Sequence, residues 1–328
     1  MLVINEQQAS ELLDLEALID ALAPAMSELS AGKVSQPPRI AAMVEEKKGL
    51  LAAMPVYLPN SKALACKLVS VFPLNHALGL VSHQAAISLF DGDTGRQIAL
   101  IDGTHITAER TAAGAALATR LLARPDATKL AILGTGVQAS AHIGAIPRVR
   151  DIKEIRIAGR SRDKAAALAE RVKGEATAEI VVADSFEDAV RGAEIICGTT
   201  DAAEPIMEMA WVSPGAHINS VGFNLKGREI GEDVVAGSKV FVEARFVALA
   251  EPPAGANDLM WPIRDDVITE DHIVAEIGEL VSGDQLGRAA DNDITLYKSV
   301  GLGVQDAAAA ELVYRAALNK NIGVEVDF

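Results

Sequence analysis

Residues 129–139, KLAILGTGVQA, constrain the fold of this chain more than any other stretch. Apolar residues lead straight into Gly134, and small, helix-compatible residues follow Ala139. The pattern G-x-G-x-x-A predicts a buried strand that turns sharply into a helix. Gly134 permits the turn, Gly136 lets a pyrophosphate approach the backbone, and Ala139 lets the helix pack closely on the strand. An isolated match is weak, since any tight strand-to-helix turn can carry it. A second strand predicted at residues 154–158 favours a dinucleotide-binding unit.

Strands and helices alternate after residue 129, which predicts a parallel, doubly wound sheet. The predicted strands are residues 130–133, 154–158, 179–182, 195–197, 217–220 and 239–242. The predicted helices are residues 163–172, 185–191 and 265–283, and residues 299–303 read as a glycine-rich turn.

The first part of the chain follows another pattern. Strands are predicted at residues 2–5, 40–44, 50–54, 63–71, 85–90 and 97–101, the last two paired as a hairpin around DGDTG. Helices are predicted at residues 15–31, with Asp14 as N-cap and Pro24 at a kink or boundary, and at residues 106–123 and 305–319. We therefore expect an α/β protein, with a Rossmann domain (residues 123–303) inserted in a split α+β domain (residues 1–122 and 304–328).

Composition and charge argue against several classes of function. The 328 residues carry a formal net charge of −15, with half of them hydrophobic, which argues against nucleic acid or an anionic membrane surface as partner. The N-terminus lacks the basic segment of a signal peptide, and no apolar run is long enough to span a membrane. Cys66 and Cys197 lie in apolar runs, which indicates buried thiols in a reducing cytoplasm rather than a disulfide or a metal site.

Three cations of the first part lie beside apolar sequence, where a charge is costly unless it is used: Arg39, Lys67 and Arg110. Each can instead belong to a solvated face or pair with one of the many acids. Together they are typical of a carboxylate clamp, since arginine binds carboxylate through two parallel hydrogen bonds and lysine adds a mobile ammonium.

At four places the chain resembles the ornithine cyclodeaminase/μ-crystallin family: GTGVQA, SLFDGDTGRQIALIDGTHITAERTAAGAA, INSVGFNLKGREI and YKSVGLGVQDAAAAELVY. The resemblance implies a Rossmann domain with a split substrate-binding and dimerisation domain, hence a homodimer. It implies that Arg39, Lys67 and Arg110 hold the substrate α-carboxylate and that Val300 touches the substrate. The positions that it places near the dinucleotide are Ser82, Arg110, Val137, Gln138, Thr199, Thr200, Val221, Arg228 and Ser299.

Two positions depart from the cyclodeaminase pattern. The family's cyclodeaminases have an aspartate after the INxVG strand, where this chain has Asn224, which cannot act as a base. They also have an acid at the position of Ala52, which in them holds the distal ammonium of ornithine. Both differences indicate net reduction of an imine to an amino acid, with Asn224 kept as a candidate active-site residue in the pocket wall.

Cofactor preference depends on the end of the second strand. Enzymes that use NAD usually have an acid there, whereas this chain has Arg160 and Ser161, which can hold the 2′-phosphate of NADPH. Alternatively the arginine is a surface residue or stacks on adenine, and NADH is used. The resemblance extends to the family's iminosuccinate reductases of bacterial glyoxylate assimilation, which implies NADH and a four-carbon dicarboxylate. Candidates for a second anion site are His83, Gln84, Asn224 and Lys226, with His83 equally readable as a core histidine.

These observations predict an imine reductase acting on a small α-imino acid, with iminosuccinate, reduced to aspartate, as the specific expectation. Arg39, Lys67 and Arg110 orient the substrate, and Lys67 tunes its protonation, because neighbouring arginines lower the pKa of a lysine. NADH or NADPH carries the redox chemistry, without a metal. A cyclic ketimine reductase, a cyclodeaminase and a crystallin-like dinucleotide-binding protein with low turnover remain as alternatives.

Overall fold

The computed structural model describes residues 1–174, 177–252 and 254–327, except for the side chain of His76. The strands are β1 (Leu2–Ile4), β2 (Ile40–Val44), β3 (Gly49–Leu58), β4 (Ala63–Val71), β5 (His83–Asp91), β6 (Gln97–Asp102), β7 (Lys129–Leu133), β8 (Glu154–Ala158), β9 (Glu179–Val182), β10 (Ile195–Gly198), β11 (His217–Ser220), β12 (Lys239–Val242), β13 (Ile273–Glu276), β14 (Thr295–Lys298) and β15 (Val324–Glu325).

The α-helices are α1 (Glu6–Leu12), α2 (Leu15–Ser30), α3 (Thr104–Leu122), α4 (Val137–Ala145), α5 (Arg162–Val172), α6 (Phe186–Val190), α7 (Glu232–Ala236), α8 (Arg245–Ala248), α9 (Asn257–Arg264), α10 (Ile277–Ser282) and α11 (Gly303–Lys320). The chain divides into two compact units, one of Met1–Arg110 with Gly301–Phe328 and one of Thr111–Val300. Helix α3 begins in the first unit and ends in the second.

The first unit contains a seven-stranded sheet in the order β15-β1-β6-β5-β4-β3-β2. Strands β2 to β6 are antiparallel neighbours, and the predicted hairpin of β5 and β6 is confirmed, with Ile87 opposite Ile101. Helix α11 packs against α2 and against β3, β4 and β5. Its alanine-rich sequence explains this contact, because small side chains let a helix approach a sheet closely. One face of the sheet is therefore covered by helix.

The opposite face of that sheet exposes apolar side chains. Ile40, Ala53 and Leu68 lie side by side across β2, β3 and β4, and Ile40 is 71% and Leu68 43% exposed. Leu51, two residues from Ala53 on β3, belongs to the same face and is 48% exposed. We call this surface the open face.

The second unit is a parallel sheet of eight strands in the order β13-β12-β14-β11-β10-β7-β8-β9. This confirms the predicted doubly wound α/β architecture. Buried aliphatic side chains of β7, β10 and β11 form its core with the crossover helices. The chain leaves β7 toward β8 and β9 and then crosses to β10, so the strand order reverses between β7 and β10. Ligands bind at such a reversal, beyond the carboxyl ends of the strands.

Several sequence predictions were wrong in this part. The helix predicted at residues 265–283 contains β13 and only the short helix α10, because Glu276 ends the strand and its side chain caps α10. Strand β14, in the middle of the sheet, was not predicted at all. In the first unit, α2 continues past Pro24 to Ser30, so of the two places predicted for this proline, a kink or a helix boundary, the boundary is excluded. Among the described residues, no helix is long and apolar enough to cross a membrane.

Candidate functional site

The loop between β7 and α4 has the geometry that its glycines predict. Gly134 has φ of +133°, and a Cβ there would lie 2.4 Å from the Thr199 hydroxyl oxygen, so only glycine fits. A Cβ on Gly136 would meet nothing within 4 Å, which leaves open space over its backbone. Gly136 is the N-cap of α4 without a side-chain cap, while Ala139 is buried. The free N–H groups at this helix end and the space above them fit a pyrophosphate.

Thr199 and Thr200 follow β10, next to this loop. The Thr199 hydroxyl donates a hydrogen bond to the Leu133 carbonyl oxygen at 3.0 Å, which ties the end of β10 to the end of β7. Both threonines thus lie at the reversal of the strand order, as expected for residues near a dinucleotide. Val137 is exposed on the first turn of α4, and Gln138, the next residue, is half-buried.

A buried carboxylate beneath this region was not identified from the sequence. Glu229 accepts hydrogen bonds from the backbone and hydroxyl of Thr200 at 2.6 and 2.8 Å, from the Ser220 hydroxyl at 2.8 Å and from the Gly222 N–H at 3.0 Å. Lys298 donates to Ser220 and to the Gly222 carbonyl oxygen. Burial raises the pKa of Glu229, and the ammonium of Lys298 opposes that shift. Glu229 and Lys298 therefore both hold the backbone that follows β10 and β11, where Thr200 and the predicted cofactor residue Val221 lie.

The end of β8 carries the predicted cofactor-selecting residues. Arg160 is highly exposed, with its guanidinium 3.8 Å from the carboxylate of Asp201, and both side chains are 86% exposed. The Ser161 hydroxyl accepts a hydrogen bond from the Lys164 N–H as N-cap of α5. Ser161 therefore has a structural role whichever cofactor is bound, and the exposed guanidinium of Arg160 is accessible to a phosphate.

The remaining predicted residues of the second unit make specific local contacts. The Asn224 amide donates to the Asp201 carbonyl oxygen at 2.7 Å and accepts from the Lys226 N–H, so it holds its loop. Arg228 pairs with Glu232 and lies over the Trp261 ring.

Ser299 and Val300, the predicted cofactor and substrate residues after β14, share one carboxylate. The Ser299 hydroxyl and the Val300 N–H both donate to the buried Glu243, at 2.9 and 2.8 Å. Glu243 therefore fixes the segment that ends the second unit.

The first unit brings together the predicted clamp residues. Lys67 on β4 and Arg110 on α3 both contact Asp306 on α11. Lys67 Nζ lies 2.8 Å from one carboxylate oxygen and Arg110 Nε 3.1 Å from the other. Arg110 Nη1 also donates to the Gln305 amide oxygen at 2.8 Å. All three charged side chains are at least nine-tenths buried, and the trio carries one positive charge in excess.

Arg39 joins this cluster through Gly301. Its Nη2 donates to the Gly301 carbonyl oxygen at 2.6 Å. Gly301 has φ of +77°, and a Cβ there would lie 3.0 Å from Arg110 Nη1, so the guanidinium packs directly on the glycine backbone. The three cations thus converge at the segment that begins α11, whose N-terminal dipole further favours an anion.

The environment of Lys67 changes its acidity. Burial lowers the pKa of Lys67 from 10.5 to about 8, and the guanidinium groups of Arg110 and Arg39 add to that effect, while the carboxylate of Asp306 opposes it. Lys67 can therefore exchange a proton near neutral pH, as acid–base catalysis requires.

Apolar side chains flank the clamp on its sheet face. Met54 on β3 and Ile87 on β5 lie opposite Lys67 in register, and both are buried. His83 lies four residues before Ile87, hence on the same face, roughly 13 Å along the strand. It is exposed, and its Nδ1 lies 3.0 Å from the Ser82 hydroxyl. Ser82 and His83 are therefore neighbours of each other and not part of the trio.

A model of the ornithine cyclodeaminase/mu-crystallin family matches residues 1–321 of this chain. The ketimine reductase mu-crystallin of Rattus norvegicus is 38% identical over 301 residues, 90% of this chain and 91% of that protein. The Δ(1)-pyrroline-2-carboxylate reductase of Bacillus cereus is 34% identical over 330 residues, 100% of both chains.

Solved structures of related proteins agree with this match to the family. Δ(1)-pyrroline-2-carboxylate reductase of Thermococcus litoralis, in complex with NADH and L-proline, has a TM-score of 0.95 at 37% identity, covering 99% of this chain and 100% of that one. An archaeal alanine dehydrogenase dimer with bound NAD has a TM-score of 0.93 at 28% identity, covering 100% and 99%. Iminosuccinate reductase of Paracoccus denitrificans in complex with NAD+ has a TM-score of 0.89 at 25% identity, covering 100% and 99%. The chain belongs to the ornithine cyclodeaminase/mu-crystallin family and is an NAD(P)-dependent oxidoreductase that acts on C=N bonds.

Proposed function

We propose that this enzyme reduces a small α-imino acid to the amino acid, and that its substrate is a cyclic imine such as Δ(1)-pyrroline-2-carboxylate. The observation that carries this proposal is the buried trio of Lys67, Asp306 and Arg110. Two cations share one carboxylate away from water, and an unbalanced buried charge is unfavourable. The carboxylate of an imino acid supplies the missing negative charge.

The clamp residues then have distinct tasks. Arg110 and Arg39 hold the substrate carboxylate through guanidinium hydrogen bonds, and Lys67 supplies an ammonium close to the imine nitrogen. Fixing the carboxylate also fixes the adjacent C=N carbon, and such positioning lowers the barrier to reaction. Val300 is assigned to the substrate, as the family resemblance implies, and Glu243 holds its backbone.

The second unit holds the cofactor. The residues assigned to it are Gly134, Gly136, Val137, Gln138, Arg160, Ser161, Thr199, Thr200, Val221, Arg228 and Ser299. The family resemblance implies Ser82 and Arg110 as further cofactor residues. When bound, NADH or NADPH supplies the hydride that reduces the C=N carbon. The open space over Gly136 and the uncapped end of α4 support this assignment.

The surroundings of Lys67 favour a ring over a second carboxylate. Its neighbours on the sheet face, Met54 and Ile87, are apolar, which suits the methylene groups of a cyclic imine. The Thermococcus litoralis reductase, whose complex contains L-proline, is also more similar in sequence, at 37% identity, than the iminosuccinate reductase at 25%.

Iminosuccinate, which gives aspartate, is the second candidate substrate. The likeness to the Paracoccus denitrificans enzyme favours it. His83 shares the sheet face of Lys67 and is the side chain that we assign to the second carboxylate. Asn224 remains a candidate for the pocket wall.

The open face supports a homodimer. It presents Ile40, Leu51 and Leu68 to solvent on adjacent strands, and contiguous exposed apolar surface is typical of interfaces. The related alanine dehydrogenase structure is a dimer. We expect Leu51→Asp to convert a dimer to a monomer in sedimentation equilibrium, and a wild-type monomer would refute this assembly. We assign the enzyme to the cytoplasm, where Cys66 and Cys197, both free thiols, stay reduced.

Turnover with defined imines tests the substrate. Oxidation of NADH and NADPH is followed by absorbance with Δ(1)-pyrroline-2-carboxylate, with its six-membered homologue, and with oxaloacetate in the presence and absence of ammonia. We expect the highest kcat/KM with a cyclic imine. Turnover only with oxaloacetate plus ammonia, which form iminosuccinate, would transfer the assignment to the dicarboxylate. An enzyme that oxidises neither cofactor with any of these compounds would refute the proposed function.

A further inference from the structure

The carboxylate of Asp306 has a place in the clamp that its sequence position does not indicate. It is one of the first residues of α11, is almost fully buried, and contacts a different cation with each oxygen. Lys67 lies 239 residues earlier in the numbering and Arg110 196 residues earlier. An anion that binds at the clamp must therefore share these cations with a carboxylate that the protein already provides.

We propose that Asp306 is a positioning residue for catalysis, which keeps Lys67 charged and aims it as the proton donor to the imine nitrogen. This inference rests on the proposed reduction of an imino acid. It assigns the proton-transfer step to Lys67 and a separate task to Asp306.

Geometry supports this division. The stem of Lys67 is held on β4 between the buried side chains of Met54 and Ile87, so its ammonium has little freedom. Asp306 contacts Lys67 with one oxygen and Arg110 with the other. Arg110 is thereby turned toward the same point as Lys67, and one carboxylate sets the direction of both cations.

The chemistry balances with these groups. The imine carbon gains the hydride that the established cofactor supplies, and the imine nitrogen gains the proton of Lys67 Nζ. The C=N double bond becomes a C–N single bond, and the cofactor is oxidised. Lys67 is left as a neutral amine and regains its proton from water. Asp306 stays ionised throughout and contributes no atom.

The charged groups around Lys67 predict the sign of a pH effect. Asp306 favours the ammonium, whereas burial, Arg110 and Arg39 disfavour it. Replacing the carboxylate by an amide removes the one favourable charge among these groups, so the pKa of Lys67 falls further. The high-pH limb of the profile is the range in which kcat/KM falls as the pH rises, and it reports an ionisation of the free enzyme. This limb must then move to lower pH in the variant.

The test compares the pH dependence of kcat/KM for the wild type and Asp306→Asn with the same imine and cofactor. We expect the wild-type limb near pH 8 and a shift of at least about one pH unit downward in the variant, since a nearby opposite charge changes a pKa by about 1–3 units. Ionisation of the free imine is common to both profiles and cancels in the difference. Asp93→Asn is the matched control, because Asp93 pairs only with Lys62 at the surface in the ion pairs described and lies in the same unit.

The outcomes separate this inference from the proposed function. An Asp306→Asn enzyme with lower kcat/KM but an unmoved limb shows a merely structural role and overturns the inference, while imine reduction by the wild type still stands. If Asp306→Asn does not fold, Lys67→Arg decides. Arginine keeps its proton, so either loss of the limb or a fall in kcat of about 100-fold or more supports the inference. Turnover by Lys67→Arg with an unchanged limb overturns it.

Discussion

We expect Gly136→Ala to weaken binding of the cofactor while leaving the stability of the fold nearly unchanged. Gly136 has an extended backbone with φ of −89°, which any residue adopts, and its Cβ would meet no atom within 4 Å. The added methyl group therefore strains nothing in the protein alone. Alanine restricts the unfolded chain more than glycine does, whereas glycine is preferred over alanine at a helix N-cap. Because these two effects oppose each other, we expect the free energy of unfolding to change by less than about 1 kcal/mol.

The same methyl group occupies the space that the proposed pyrophosphate needs. Overpacking of a close contact costs about 1–3 kcal/mol. We therefore expect the Kd for NADH to rise about 5- to 150-fold in Gly136→Ala, measured by fluorescence titration, with urea unfolding measured without cofactor.

Gly144→Ala is the matched control. Gly144 lies on the same helix, and its Cβ would also meet nothing within 4 Å, but it is far from the helix N-terminus. We expect no change in NADH affinity there. A Kd for Gly136→Ala that equals those of the wild type and Gly144→Ala would refute the assignment of this loop to the phosphates.

Three further predictions concern the clamp, cofactor preference and acid stability. Arg110→Ala leaves Asp306 with one cation fewer, and we expect kcat/KM to fall about 100- to 1000-fold with an unchanged circular dichroism spectrum; near-normal turnover would refute the clamp. If Arg160 binds a 2′-phosphate, Arg160→Ala weakens NADPH at least about tenfold more than NADH in binding titrations, and equal losses would contradict that role. Burial lowers the pKa of His142 from 6.5 to about 4, so the unfolded chain takes up its proton first and stability falls as the pH drops below 6.5. Between pH 6 and 5, the urea-derived free energy of unfolding should fall by about 1.2 kcal/mol more in the wild type than in His142→Asn, and equal slopes would contradict this origin.

The nucleotide-binding unit could be predicted well because its signals are local. A buried strand, two glycines and an alanine within eleven residues specify one turn, and the alternation of elements specifies a parallel sheet. Strand β14 lacked such a signal. Its four residues, TLYK, follow a polar acidic loop, and only pairing with β11 and β12 makes them a central strand. Tertiary pairing thus decided an element that local preference left open.

The residues of the site could likewise be predicted only where the sequence carries a local signal. Arg39, Lys67 and Arg110 could be selected because a cation beside apolar sequence is unusual. An acidic residue in an alanine-rich helix is not unusual, so Asp306 could not be selected from the sequence. Only the fold places its carboxylate between two cations. Glu229 and Glu243 were also missed, since neither carries a local sequence signal and the donors to Glu243 lie more than fifty residues away in the chain. Resemblance to the family directed attention to Thr200, Ser299 and Val300 but not to the carboxylates that hold them.

Helix α11 links the stability of the first unit to its chemistry. Its alanine-rich side packs on β3, β4 and β5, and its first turn provides Asp306 for the clamp. Packing of the helix on the sheet therefore brings the carboxylate to Lys67, while Gly301 at the same end receives Arg39 and Arg110. In a chain with a net charge of −15, an anionic substrate is repelled at long range, so capture must depend on this local excess of buried positive charge. Docking of α11 holds the cations at one place, because Asp306 contacts both Lys67 and Arg110 and Gly301 receives Arg39.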